Sequence, residues 1–178
     1  MKRFRKLLIS LALALVLVLS FSVPALAATD ATVTVTATPT YISISNTPST
    51  KALGMLAASS TTWAIGTAPA DPLTDTGCTF TVANNGNVAE DIAITASDFT
   101  GGVGWTLAST VGVDTVVMKA GKSGDAHAAM VVVMPTGGAN FIPALAAAGT
   151  KKWEFNLSTG TFTDAVAKSS TITLTATA

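Results

Sequence analysis

Two short runs at opposite ends of the chain constrain its fold more than anything between them. Thr32-Val33-Thr34-Val35-Thr36-Ala37-Thr38 and Thr171-Ile172-Thr173-Leu174-Thr175-Ala176-Thr177 alternate polar and apolar residues without a break. Successive side chains of an extended strand point to opposite faces. A period of two therefore places Val33 and Val35, or Ile172, Leu174 and Ala176, on one face and the threonines on the other. A helix, with its period of 3.6, would scatter the same residues around its axis. Threonine occurs 29 times in the 178 residues, always after residue 27. Its β-branched side chain is stiff at χ1 and favours extended backbone.

The same period recurs along the chain. Tyr41-Ile42-Ser43-Ile44-Ser45 alternates, residues 52–56 read as a strand kinked at Gly54, and residues 60–65 read as another. A Gly/Pro/Asp-rich loop follows at 66–77. Residues 76–83 and 88–96 then flank Asn84-Asn85-Gly86-Asn87, which predicts a β-hairpin with Cys78, Phe80, Val82, Ile92 and Ile94 inward. Short strands are expected at 104–109, 114–119 and 128–134, with a turn at 120–125. Residues 135–149 read as a loop with a helical turn at 143–148. Residues 151–158 alternate Trp153, Phe155 and Leu157, and 170–178 closes the chain. Nine or ten short strands without a long amphipathic helix or an internal repeat predict an all-β sandwich, immunoglobulin-like or jelly-roll.

Lys2, Arg3, Arg5 and Lys6 precede an apolar run at 7–21, and Ser22-Val23-Pro24-Ala25-Leu26-Ala27 follows it. This is the build of a cleaved secretory signal peptide over 1–27, with Ala28 as the alternative cleavage point. The apolar run is shorter than the ~20 residues of a spanning helix. The expected mature chain is a single β-sandwich domain at 28–178, secreted to the extracellular space or cell surface, with no membrane anchor. It would carry six lysines, no arginine and ten Asp/Glu, a net charge of −4. Phosphate backbones are bound by clustered Lys and Arg, so a nucleic-acid partner is not expected. Cys78 is the one cysteine; no intramolecular disulfide can form, and it reads as a small buried hydrophobe.

The residues offer little for catalysis. His127 is the sole histidine, which excludes a multi-histidine metal cage, and no G-x-S-x-G elbow is present. Gly121-Lys122-Ser123 lacks the upstream glycine and following helix of a phosphate-binding loop. Asp71 and Asp75 share a loop and could give calcium two of the six to eight oxygens it takes; no other cofactor is implied. Glu90 and Asp91 are adjacent on a strand and so face opposite ways. Tyr41, Trp63 and Trp105 are the candidate rings of a glycan platform, while Trp153 keeps phase with core residues. The alternating threonines could order water only as a large repeated array, and the chain has two such strands, so they read as the polar face of a sheet.

Thr79-Phe80-Thr81-Val82-Ala83-Asn84-Asn85-Gly86-Asn87-Val88 resembles the F-x-V-x-N-x-G-N segment common in bacterial and archaeal secreted surface β-sandwich domains. With the leader and Leu53-Gly54-Met55-Leu56, the chain is similar to the TasA/camelysin-like group of exported fibre proteins. Gly104-Trp105-Thr106-Leu107 resembles one motif of WxL-type cell-wall-binding domains; the second motif is missing. The camelysin label implies metallopeptidase activity, which a single histidine does not support. The expectation is a non-enzymatic structural protein, a filament or coat subunit, that self-associates through terminal strands carrying Val33, Val35, Ile172 and Leu174. The alternative is a polysaccharide- or cell-wall-binding module using Tyr41, Trp63 and Trp105.

Overall fold

The computed structural model describes residues 36–178; the leader, Val33 and Val35 lie outside them. Pro39–Ala178 forms a compact unit of ten strands. These are β1 (Ile44–Thr47), β2 (Thr61–Trp63), β3 (Phe80–Asn84), β4 (Glu90–Ala96), β5 (Thr106–Leu107), β6 (Thr115–Lys122), β7 (Val131–Val133), β8 (Ala139–Leu145), β9 (Thr150–Thr159) and β10 (Ile172–Thr177). Single 3-10 turns stand at Asp75–Gly77 and His127–Ala129. No helix among the described residues is long and apolar enough to cross a membrane.

The strands form two sheets, which makes the unit an all-β sandwich. The larger runs β1–β3–β9–β6–β5. β2 shares one edge of β9 with β3, and β7 pairs β6 beside β5. The smaller runs β10–β4–β8. Every pairing is antiparallel except the short β5–β6 contact. Both inner faces supply one core. Phe80, Val82, Met118, Trp153, Phe155 and Leu157 come from the larger sheet, and Ile92, Ile94, Phe141 and Ile142 from the smaller. The Trp153 ring stacks on Phe80 at 4.5 Å, meets Phe141 edge-on at 5.6 Å, and donates its indole N–H to Asn46 Oδ1 at 2.9 Å. An aromatic packed in this way buries a large apolar area while its polar edge stays satisfied.

Five local expectations are corrected. Residues 76–96 are not a hairpin: β3 belongs to the larger sheet and β4 to the smaller, so 85–89 arches from one layer to the other. The buried Asn84 side chain makes the arch. Its Oδ1 accepts from Gly86 N–H, and its Nδ2 donates to the carbonyls of Val88 and Leu145. Gly86 is required there by close approach, since a Cβ would lie 2.4 Å from the Tyr41 carbonyl oxygen. The inward residues of both segments were legible because both sheets face the same core. Cys78 is the exception, buried in a smaller cluster on the outer face.

Residues 139–145 form strand β8 where a loop and helical turn were expected. Proline is tolerated in an edge strand, and β8 is an edge, so Pro143 does not interrupt it. Residues 52–56 are irregular because Gly54 turns the chain with φ +73°, although Leu53 and Leu56 still pack on the core. Thr36, Ala37 and Thr38, the described end of the first alternating run, are exposed and outside any strand.

Candidate functional site

Among the described residues, the sandwich is open along one side. β10 ends the smaller sheet there, β1 ends the larger, and a groove of about 1050 Å³ runs between them into the core. Its floor is apolar, made by Phe80, Met118, Trp153 and Phe155, and Ile172 and Leu174 line it from the β10 side. Both are half-buried, as expected of an apolar strand face covered on one side only.

The phase of the β10–β4 ladder decides what the groove offers. Ser97 N–H donates to the Thr171 carbonyl at 2.9 Å, so Thr171 and Ser97 are a hydrogen-bonded position. In an antiparallel pair such positions recur every second residue. Thr173, Thr175 and Thr177 therefore aim their backbone groups at β4, while Ile172, Leu174 and Ala176 aim theirs at the free edge. Among the described residues no strand pairs with that edge, so the residues with apolar side chains in the seam are also those whose N–H and C=O groups have no strand partner there. An edge of this kind is a template for another strand, and proteins usually blunt it with Lys, Pro or a bulge. β10 reads Ile-Thr-Leu-Thr-Ala-Thr and carries no charge and no proline.

A strap at 162–171 forms part of the groove wall. Phe162 stacks flat on Trp105, 4.4 Å between ring centres and 9° between planes. Asp164 Oδ2 accepts from Val103 N–H, and Asp164 Oδ1 accepts from Val166 N–H and from Lys168 Nζ. Lys168 also donates to the Gly101 carbonyl, and its ammonium lies 5.7 Å from the centre of the Trp105 ring. The Lys168 hydrogen bond first, and the Val103 amide next, hold the Asp164 carboxyl below its ordinary 3.8.

Of the residues singled out in the sequence, Ile172 and Leu174 lie on the free edge of the groove. Tyr41, Trp63 and Trp105 do not form one exposed platform. Tyr41 is 58% exposed near β1, Trp63 is 9% exposed on the outer face of the larger sheet, and Trp105 is 6% exposed behind Phe162. Asp71 and Asp75 do not converge on a cation-sized space with other carboxylates: no group of three His, Cys, Asp or Glu among the described residues is placed for a metal. Asp71 instead accepts from His127 N–H at 2.8 Å.

Sequence reasoning missed the strap and also Glu154. Glu154 is fully buried on the outer face of β9, where its oxygens accept from the backbone N–H groups of Ile65, Thr79 and Phe155. A carboxylate between Trp153 and Phe155 in an otherwise apolar-alternating strand was the available signal. Burial, and then the nearby Glu154 charge, push the Cys78 thiol up to about 11. Compared with known proteins, the chain matches no family model, no curated protein and no solved structure.

Proposed function

We propose that this is a non-enzymatic structural protein of the cell exterior, a filament or coat subunit that assembles by adding a strand to β10. One observation carries the reading: an apolar groove bordered by an uncharged edge of β10 that no strand among the described residues pairs. The occupant we assign is the run at 32–38 of a neighbouring copy. Its seven residues would span roughly 20–23 Å as a strand, and the six of β10 about 20 Å, at ~3.3 Å per residue. Both alternate at a period of two, so Val33 and Val35 would enter the seam beside Ile172 and Leu174 while their threonines face water. Backbone hydrogen bonds would supply affinity and the buried valines register, the usual division in strand addition. The run is uncharged, as a groove floored by Phe80, Trp153 and Phe155 requires.

The leader reading belongs to the same proposal. Cleavage after Ala27 would leave the alternating run close to a new N-terminus, free to reach another subunit. The glycan-binding alternative has less support, because Tyr41 is the only exposed ring of the three.

Light scattering and negative-stain imaging of the purified protein starting at Ala28 test the reading. Polymers are expected, and deletion of 28–38 should yield folded, non-polymerising subunits. Leu174→Lys, which puts a charge on the seam, should do the same. A protein starting at Ala28 that stays monomeric at high concentration overturns the proposal, and so does polymerisation unaffected by the deletion.

A further inference from the structure

A second cluster lies on the far face of the larger sheet, away from the groove. Trp63, Leu73, Cys78 and Met130 pack there as a buried group separate from the main core. Gly121 lets it settle on the sheet backbone, since a Cβ would stand 2.7 Å from Met130 Cγ and 2.9 Å from Leu73 Cδ1. The segments that build the cluster are tied together. His127 N–H donates to Asp71, Leu73 N–H to the Asp125 carbonyl, and Gly124 N–H to the Leu73 carbonyl.

His127 opens the 3-10 turn that Met130 caps, with Met130 N–H donating to the His127 carbonyl. Both side chains belong to one neighbourhood, since the imidazole lies against Trp63 and the thioether is packed in the same buried group as Trp63. The His127 ring lies 4.7 Å from the Trp63 ring. Met130 Sδ lies 4.0 Å from Asn156 Nδ2. Two buried polar atoms here have no hydrogen-bond partner among the described residues: His127 Nε2, and Oδ1 of Asn156, a residue only 7% exposed. A buried polar atom without a partner is unfavourable, and such a group is a place where a water or ion belongs.

We propose that His127 Nε2 and Met130 Sδ, capped by the face of Trp63, bind a soft monovalent d10 cation of the Cu(I) class. The donor set selects the ion. Thioether sulfur and imidazole suit Cu(I), whereas calcium and magnesium require several oxygens. The aromatic face attracts a desolvated cation through its quadrupole. Asn156, whose Nδ2 is the atom near the sulfur, offers its unpartnered Oδ1 as a remaining donor. Cys78 belongs to the same cluster, and its sulfur is a soft ligand that would compete for the same ion.

Silver(I), an air-stable d10 ion, is the probe, titrated in chloride-free nitrate buffer into the Cys78→Ala protein so that no thiol competes. One equivalent should bind saturably and quench tryptophan fluorescence. His127→Gln and Met130→Leu, both close in volume to the native residues, should each weaken binding at least tenfold, with far-UV circular dichroism unchanged. Trp63→Phe should retain the stoichiometry and lose most of the quenching. The absence of a saturable one-to-one event in Cys78→Ala overturns the proposal, as would affinity unmoved by both ligand substitutions. If a variant fails to fold, ¹H–¹⁵N spectra of the Cys78→Ala protein decide: silver must shift the His127 imidazole and Asn156 side-chain amide signals, and if neither moves the site is refuted. A water bridging Nε2 and Oδ1 would give no silver response.

Discussion

β9 and β10 read alike in sequence, two alternating strands in the second half of the chain, yet they end in opposite circumstances. β9 has β3 and β2 along one edge, β6 along the other, the core on its inner face and a folded loop on its outer face. β10 has a single partner among the described residues, and its apolar residues are half-buried over a groove. The difference lies in the residues between the apolar ones. β9 places Glu154 and Asn156 there, side chains that can accept backbone N–H groups and so tolerate cover. β10 places only threonines there, a face that is stable in water and needs no cover. Alternation states that a segment is a strand, and the polar half of the alternation indicates how many neighbours it will have.

Glu154 shows how a polar residue can complete a sheet. Along one edge of β9 the β3 pairing ends at Trp153 and the β2 pairing begins at Asn156. The carboxyl fills the gap, taking the N–H of Ile65 just past β2 and of Thr79 just before β3. Glu154→Ala should therefore have the largest effect of any change on the polar half of β9. It strands several buried N–H groups, and a loss of about 3 kcal/mol or more is expected in urea denaturation. A loss below about 1 kcal/mol would mean that the gap closes without the carboxyl and that β9 owes its cover to something else.

The core test is a matched pair. Leu157 is fully buried on β9, and Leu157→Ala should cost about 2–5 kcal/mol. Leu174, half-buried on β10, should cost the isolated subunit only about 1 kcal/mol when cut to alanine, because less area leaves water on folding. Denaturant midpoints measured at concentrations too low for association give the comparison. Equal costs would show that the seam is already filled in the free subunit, which would remove the distinction between the two strands.

Much of this architecture was legible in the sequence, for reasons visible in particular residues. Trp153, Phe155, Leu157, Ile92 and Ile94 are inward because a period of two leaves them no other face. Partnership was not legible. The Asn84-Asn85-Gly86-Asn87 stretch suggested a turn through positive φ, but none of those residues adopts it; the Asn84 side chain bonds both layers instead. Alanines around Pro143 suggested helix, and sheet pairing with β4 overrode that preference. The apolar half of the groove, Ile172 and Leu174, was visible as a strand face, whereas its opening was not, because an opening is set by which strand a sheet lacks. Phe162 and Lys168 gave no periodic signal, since each acts through Trp105 from an irregular segment.

The smallest expected effect concerns the strap that borders the seam. Asp164 ties the strap to Val103, and its carboxyl is held below 3.8 mainly by Lys168. For a carboxyl with a depressed folded value, the favourable contribution is present above the unfolded value and is lost as pH falls through the folded one. The Val103 amide signal should therefore titrate with a midpoint below 3.8, and Asp164→Asn should abolish that titration. Lys168→Met should move the midpoint back toward 3.8 without abolishing it, because the Val103 and Val166 amides remain as donors. If the midpoint ignores Lys168, the strap is held by its backbone bonds to Thr100 and the Phe162–Trp105 stack. The seam wall would then be as rigid as the covered face behind β9, and the contrast between the two regions would come down to the unpaired edge of β10 alone.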